Sequence, residues 1–268
     1  MKDKYQILLT NDDGILSPGL WAAAEALSSL GFVHVVAPRE QNSGTGRSMP
    51  ISSDGIIRPQ PMVVNNKEWT VYSIGGTPAQ TVLYAILEIT PRLPNLVVSG
   101  INYGENLGTG VTVSGTVGAA LEGGALGVPA LAISLETDPN YYLSHSDEVD
   151  FSTAAYFCAY FGHLLLKKRL PEDVYVIKVD IPTNATPQTP WKTTFLSKER
   201  YYDFFAPQRM SWEESGAIRY EVSKKSKHLL GSDAYTLRVE HQISVTPLSL
   251  DLTSRVVLSD FDKVLRGT

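Results

Sequence analysis

Cysteine is nearly absent: Cys158 is the single one in 268 residues, so no intrachain disulfide framework can hold the fold together. Its setting, YFCAY at 156–160, is apolar at helical spacing and predicts a buried structural thiol rather than a nucleophile. Positive charge is also scarce, with 23 Lys and Arg against 28 Asp and Glu, a net charge of −5, and no long basic run. Electrostatic capture of long nucleic acid is therefore not expected. No stretch reaches the roughly 18 apolar residues of a membrane span. The polar opening at 1–5, followed closely by Asp12 and Asp13, predicts neither a membrane anchor nor a secretory leader, and hence a cytoplasmic address. The five histidines, His34, His145, His163, His228 and His241, lack the close pairing that zinc sites use. His145 with the acidic run at Asp147 and Asp150 reads as a solvated loop.

What is present suits a folded protein with a large core, 43% hydrophobic and 19% charged. Residues 7–10 read as a buried strand. Ser17 stands at the N-cap and Pro18 at the first turn of a helix over 20–30, closed by Gly31. Further strands are predicted at 33–37, 96–99, 130–134 and 174–179, and further helices at 77–89, 117–126 and 151–168. Thr77 and Gln80 have the spacing of a capping box. Residues 51–71 form a small antiparallel excursion at the rim of the sheet. This alternation predicts an α/β fold with a mainly parallel sheet covered by helices on both faces. From Pro182 the character changes to prolines and aromatics, predicting extended hairpins outside the main sheet, then a strand at 242–248 and a helix at 260–265. Residues 1–181 are thus read as the core. Residues 182–268 form a C-terminal arm with a returning strand, not an independent domain, suited to packing on another subunit. The arm's aromatics suit interface packing first and stacking on a base second.

Three polar segments follow predicted strands directly: 11–14, 42–48 and 100–110. In a doubly wound sheet they share the edge beyond the strands' carboxyl ends, where ligands bind. Asp12 and Asp13 are adjacent carboxylates, and two like charges at 4 Å repel by about 4 kcal/mol at an effective dielectric near 20. A cleft holding both ionised calls for a cation or a shared proton. With Ser43 and Asn102 they offer carboxylate, hydroxyl and amide oxygens, hard donors that suit Mg²⁺ or Mn²⁺ rather than zinc. Ser114, Gly115 and Thr116 open a helix whose N-terminus suits phosphate, although the hydroxyls also suit plain capping. A metal and a helix N-terminus together would clamp a phosphoryl group, which points to phosphate ester hydrolysis.

These segments resemble the SurE survival-protein nucleotidases. The resemblance lies in LLTNDDGILSPGL at 8–20, APREQNSGTGRSM at 37–49, GGTPAQTV at 75–82, VVSGINYGENLGTGVTVSGTVGAALEG at 97–123 and ISVTPLSLDLT at 243–253. It implies a Rossmann-like core, a C-terminal part used to form a homodimer or homotetramer, and divalent-metal-dependent hydrolysis of nucleoside monophosphates at the 5′ or 3′ position. By matching motif, the implied metal ligands are Asp12, Asp13, Ser43 and Asn102, with Asp12 and Asp13 at the catalytic centre. Asn11, Gly44, Asn106, Ser114, Gly115 and Thr116 are the expected phosphate or substrate contacts. The chain departs from the pattern at Asp180, where asparagine is usual, and at Glu240-His241-Gln242, where a glycine-aromatic pair is common. Whether water or Asp12 attacks stays open. Two other functions suit parts of the pattern: a nucleotide-sugar transferase of doubly wound type, and a non-catalytic nucleotide-binding regulator.

Overall fold

The apolar run near the N-terminus forms β1 (Tyr5–Thr10), and its side chains are buried on both faces: Ile7 and Leu9 enter one core cluster, Leu8 the other. A strand buried on both sides is the signature of a parallel sheet sandwiched by helices. The computed structural model describes residues 4–142, 145–146, 148–223 and 228–267. Within them follow α1 (Pro18–Leu27), β2 (Gly31–Pro38), β3 (Ile57–Val64), β4 (Lys67–Ile74), α2 (Pro78–Tyr84), β5 (Leu96–Tyr103), α3 (Gly115–Ala125), β6 (Ala130–Leu135), α4 (Ser152–Lys167), β7 (Val176–Ile181), β8 (Trp191–Thr193), β9 (Tyr202–Phe205), β10 (Arg219–Val222), α5 (Asp233–Arg238), β11 (Ile243–Leu248) and α6 (Leu258–Arg266).

Nine strands form one sheet in the order β3-β4-β2-β1-β5-β6-β7-β11-β8. β1 pairs in parallel with β2 on one side and β5 on the other, so the chain direction across the sheet reverses here and the loops that follow these strands part. Leu20, Ala23, Ala24 and Leu27 of α1 and Phe157, Phe161 and Leu165 of α4 fill one face. Val82 of α2 and Val117, Ala119 and Ala120 of α3 fill the other. The predicted α/β sandwich is therefore the observed one. Thr77 and Gln80 complete the capping box, while Ser17 takes the N-cap position of α1 without capping it, its hydroxyl buried without a partner.

The excursion at 51–71 becomes the β3–β4 hairpin, turned by Asn65 and Asn66 at φ 50° and 57°, and β4 joins β2 in parallel. Three expectations need correction. β5 does not end at residue 99 but continues past an irregularity to Tyr103, held by pairing of Asn102 with Ser134 of β6. Residues 191–193, expected outside the sheet, form its terminal strand β8 in parallel with β11. α5 has no counterpart in the sequence reading; six residues are too few to show a helical period. β9 and β10 form the expected hairpin apart from the main sheet. Among the described residues no helix is long and apolar enough to cross a membrane.

Cys158 lies on α4, fully buried, and burial pushes its thiol up to about 12. The native protein is expected to leave a thiol reagent such as DTNB unreacted at pH 8, with one thiol titrating after denaturation. Reaction of the native protein within minutes would contradict the packing of α4.

Candidate functional site

The loop after β1 is closed by Asn11, whose amide both donates to the Gly14 carbonyl at 3.0 Å and accepts from the Gly14 N–H at 3.2 Å. Gly14 has φ +95°, which a side chain would resist. Asn11 is fully buried, and both polar ends of its amide are used in the turn. The turn presents Asp12 to the N-terminus of α3. There Thr116 Oγ1 donates to Asp12 Oδ1 at 2.5 Å, and the backbone N–H groups of Gly115 and Thr116 also bond the carboxylate. Gly115 permits this approach, since a Cβ there would lie 2.7 Å from Asp12 Cβ. Ser114 is the N-cap: its Oγ accepts from Val117 N at 3.1 Å, leaving its own proton to donate. The helix N-terminus thus acts first on a side chain of the protein, its partial positive charge stabilising the Asp12 carboxylate.

Asp13 is 1% exposed. Gln41 Nε2 reaches its Oδ1 and the Tyr103 N–H its Oδ2, each at 3.3 Å. Burial raises the pKa of Asp12 against the pull of its hydrogen bonds; burial and then the neighbouring Asp12 charge hold that of Asp13 well above the usual carboxylate range. No Lys or Arg among the described residues pairs with either. Thr116→Val, nearly isosteric, leaves Asp12 Oδ1 without its hydroxyl donor, a loss of about 1–3 kcal/mol. A fall in kcat of tenfold or more with an unchanged circular dichroism spectrum is expected; wild-type kcat would show that Asp12 needs no such fixing.

Gln41 also touches Ser43 Oγ at 3.1 Å and donates to the Tyr142 carbonyl at 2.6 Å, tying three loops together. His145 lies in a half-buried loop but its ring turns inward, with Nε2 2.7 Å from the Asp13 carbonyl oxygen; Asp150 is exposed as expected, and Asp147 lies outside the described residues. Neither Gln41 nor His145 is among the candidates that the sequence offers for the site, although Gln41 lies in the motif at 37–49. Asn102 donates from Nδ2 to the Tyr103 and Gly104 carbonyls at 3.1 and 2.7 Å, which turns its Oδ1 into the open acceptor.

A cleft of about 510 Å³ opens over these loops. Of the expected residues, Asp12, Ser43, Gly44, Asn102, Asn106 and Ser114 line it, whereas Asn11, Asp13, Gly115 and Thr116 do not. Aromatic side chains line it as well: Tyr142, Tyr201, Tyr202, Phe204 and Tyr220.

The wall at 106–108 hangs on a buried charge cluster. Lys178, fully buried, bonds Asp180, Asp233 at 3.2 Å and the Asn106 carbonyl at 2.7 Å. Asp180 accepts from the Asn106 N–H and Asp233 from the Gly108 N–H, both at 2.8 Å. Burial opposes the charge on Lys178, but the two aspartates outweigh it and raise its pKa. The departure at Asp180 is thereby explained in part, since this position supplies one of two anions to a buried cation.

A profile of the family described as survival protein SurE matches residues 7–203. A protein of Thermococcus kodakarensis named 5′-nucleotidase SurE is 42% identical over 262 residues, 97% of this chain and 98% of that protein. One of the same name from Thermococcus gammatolerans is 41% identical over 268 residues, 98% of this chain and 96% of its own. The crystal structure of SurE protein from Aquifex aeolicus superposes with a TM-score of 0.74 at 32% identity, covering 97% of this chain and 99% of that one. With a profile match spanning both Asp12 and Asn102 and relatives aligned over nearly the full length, the chain belongs to the SurE survival-protein family.

Proposed function

We propose that this protein hydrolyses nucleoside monophosphates to nucleoside and phosphate, assisted by one divalent cation per subunit, Mg²⁺ or Mn²⁺. The observation that carries the reading is the pair of adjacent buried carboxylates, Asp12 lining the cleft and Asp13 next to it, with no basic partner among the described residues. The donor set fits a hard cation. Asn102 Oδ1 is an open acceptor, Ser43 Oγ adds a hydroxyl oxygen, and among the described residues no group of three His, Cys, Asp or Glu offers a rival site. Asp12, Asp13, Ser43 and Asn102 would hold the ion, which when bound supplies Lewis-acid stabilisation of phosphoryl charge and activation of water.

The protein's own groups do the positioning. Thr116 and the α3 N-terminus fix the Asp12 carboxylate, and Gln41 aligns Asp13 with Ser43. Ser114, with its proton unclaimed by the cap, donates to a phosphoryl oxygen at the cleft wall. Relatives that align over almost the whole chain are named 5′-nucleotidase, which supports the nucleotide as substrate. Phosphate release from 5′- and 3′-nucleoside monophosphates is expected to stop in EDTA and return with added Mg²⁺ or Mn²⁺. Undiminished release after exhaustive chelation would exclude the cation, and transfer to a sugar acceptor without phosphate release would exclude hydrolysis.

We further infer assembly into a homodimer or homotetramer through the C-terminal arm. α6 is exposed along its whole length, including Leu258, Phe261, Val264 and Leu265, an apolar stripe that a second copy would cover. The lone free thiol fits a reducing compartment such as the cytoplasm.

A further inference from the structure

We propose that Tyr202, Phe204 and Tyr220, which line the same cleft as Asp12, form a stacking platform for the nucleobase of the substrate. The platform has a use only if the cleft binds the phosphate of a nucleotide, so it rests on the reading above.

Four observations converge. The cleft is continuous from Asp12, Ser43 and Asn102 to the β9–β10 hairpin, and its volume of about 510 Å³ falls in the range of small-molecule sites. Phe204 and Tyr220 are 52% and 49% exposed although they line that cleft, so ring surface is presented rather than packed away. The rings stand together: Tyr202 and Tyr220 are 5.3 Å apart between centroids at 74°, Phe204 and Tyr220 6.2 Å apart, and the Arg200 guanidinium sits 5.0 Å over Phe204. Finally, the polar tips of the inner wall are engaged within the protein. Tyr201 donates to Glu105, and Tyr202 donates to Tyr142, with burial raising all three phenols above their usual range.

That last point sets the kind of recognition. With the Tyr201 and Tyr202 hydroxyl protons already committed, these residues offer a base ring faces and edges rather than hydrogen bonds. Stacking of this kind accepts any base, because every base has a π-face. The Tyr201–Glu105 bond also ties the arm to the segment between Asn102 and Asn106, so the aromatic residues and the polar loops are held together before the substrate arrives. A ligand that reaches both carries a phosphoryl group at one end and a planar aromatic group at the other.

The test compares AMP with ribose 5-phosphate, which keeps the phosphate and sugar and lacks the base, using the full-length protein with Mg²⁺ or Mn²⁺. The wild type is expected to favour AMP in kcat/KM by about tenfold or more. In Phe204→Ala/Tyr220→Ala the KM for AMP rises and the preference falls toward unity, while Tyr220→Phe keeps it, since the ring and not the hydroxyl is used. The spread among the four nucleoside monophosphates stays smaller than the preference for AMP over ribose 5-phosphate. An equal rate on AMP and ribose 5-phosphate in the wild type would overturn the platform alone. So would an unchanged preference in the double variant, including one whose mass shows that only subunit assembly has changed. Absence of phosphate release from either compound would overturn the hydrolase reading together with it.

Discussion

Asp13→Asn is expected to lower phosphate release from nucleoside monophosphates by about a thousandfold or more with the fold kept, because stabilisation of phosphoryl charge by a bound cation is worth several kcal/mol. The substitution keeps the shape of the side chain and an oxygen for either the Tyr103 N–H or the Gln41 amide. It removes one of two buried negative charges, which is what a cation needs and what the empty fold tolerates poorly. In chelator the variant should therefore melt no lower than the wild type, and about 0.5–2 kcal/mol of added stability is in keeping with relief of strain at a functional site. Wild type and variant should also part in their response to Mg²⁺ or Mn²⁺, which raises the melting temperature of the wild type alone. Full activity in Asp13→Asn would remove the central claim. A lower melting point in chelator would show instead that the charge pair is structural.

Lys178→Met is expected to cost about 3–5 kcal/mol of stability, the usual consequence of leaving a buried charge without its partner. Here two carboxylates are stranded at once, Asp180 and Asp233, both fully buried. For a chain of this size the loss corresponds to a fall in melting temperature of roughly 10 °C. Asp180→Asn should cost less, because Lys178 keeps Asp233 and the Asn106 carbonyl as partners. Differential scanning calorimetry of the two variants gives that order directly. The same network anchors the N–H groups of Asn106 and Gly108 at the cleft wall, so a surviving Lys178→Met protein should also show a raised KM. Stability equal to the wild type would mean that the cluster contributes no net energy to the fold.

Much of the architecture could be read from local patterns. The buried run at 7–10, the proline after Ser17 and the capping box at Thr77 each act within a few residues, and the structure has the corresponding strand and helices. The grouping of Asp12, Ser43 and Asn102 was legible for a topological reason, since loops after neighbouring parallel strands share one edge. Residues 100–103 and 191–193 were misread because glycine-rich or very short segments carry no period. Their strand character comes from partners on β6 and β11.

The sequence by itself determined the α/β sandwich, the edge where the polar loops meet and the residue types gathered there, because hydrophobic period and strand order act through neighbours in the chain. Only the tertiary structure decided which of those residues face the cleft. It turned the Thr116 hydroxyl onto Asp12, 104 positions away, locked Asn11 onto Gly14, and brought the Gln41 amide onto Asp13. It also joined Lys178 to Asp233 under the loop at 106–108. Hydrogen-bond partners across such separations are chosen by packing and by the need to satisfy buried polar atoms, and neither leaves a local mark in the order of residues.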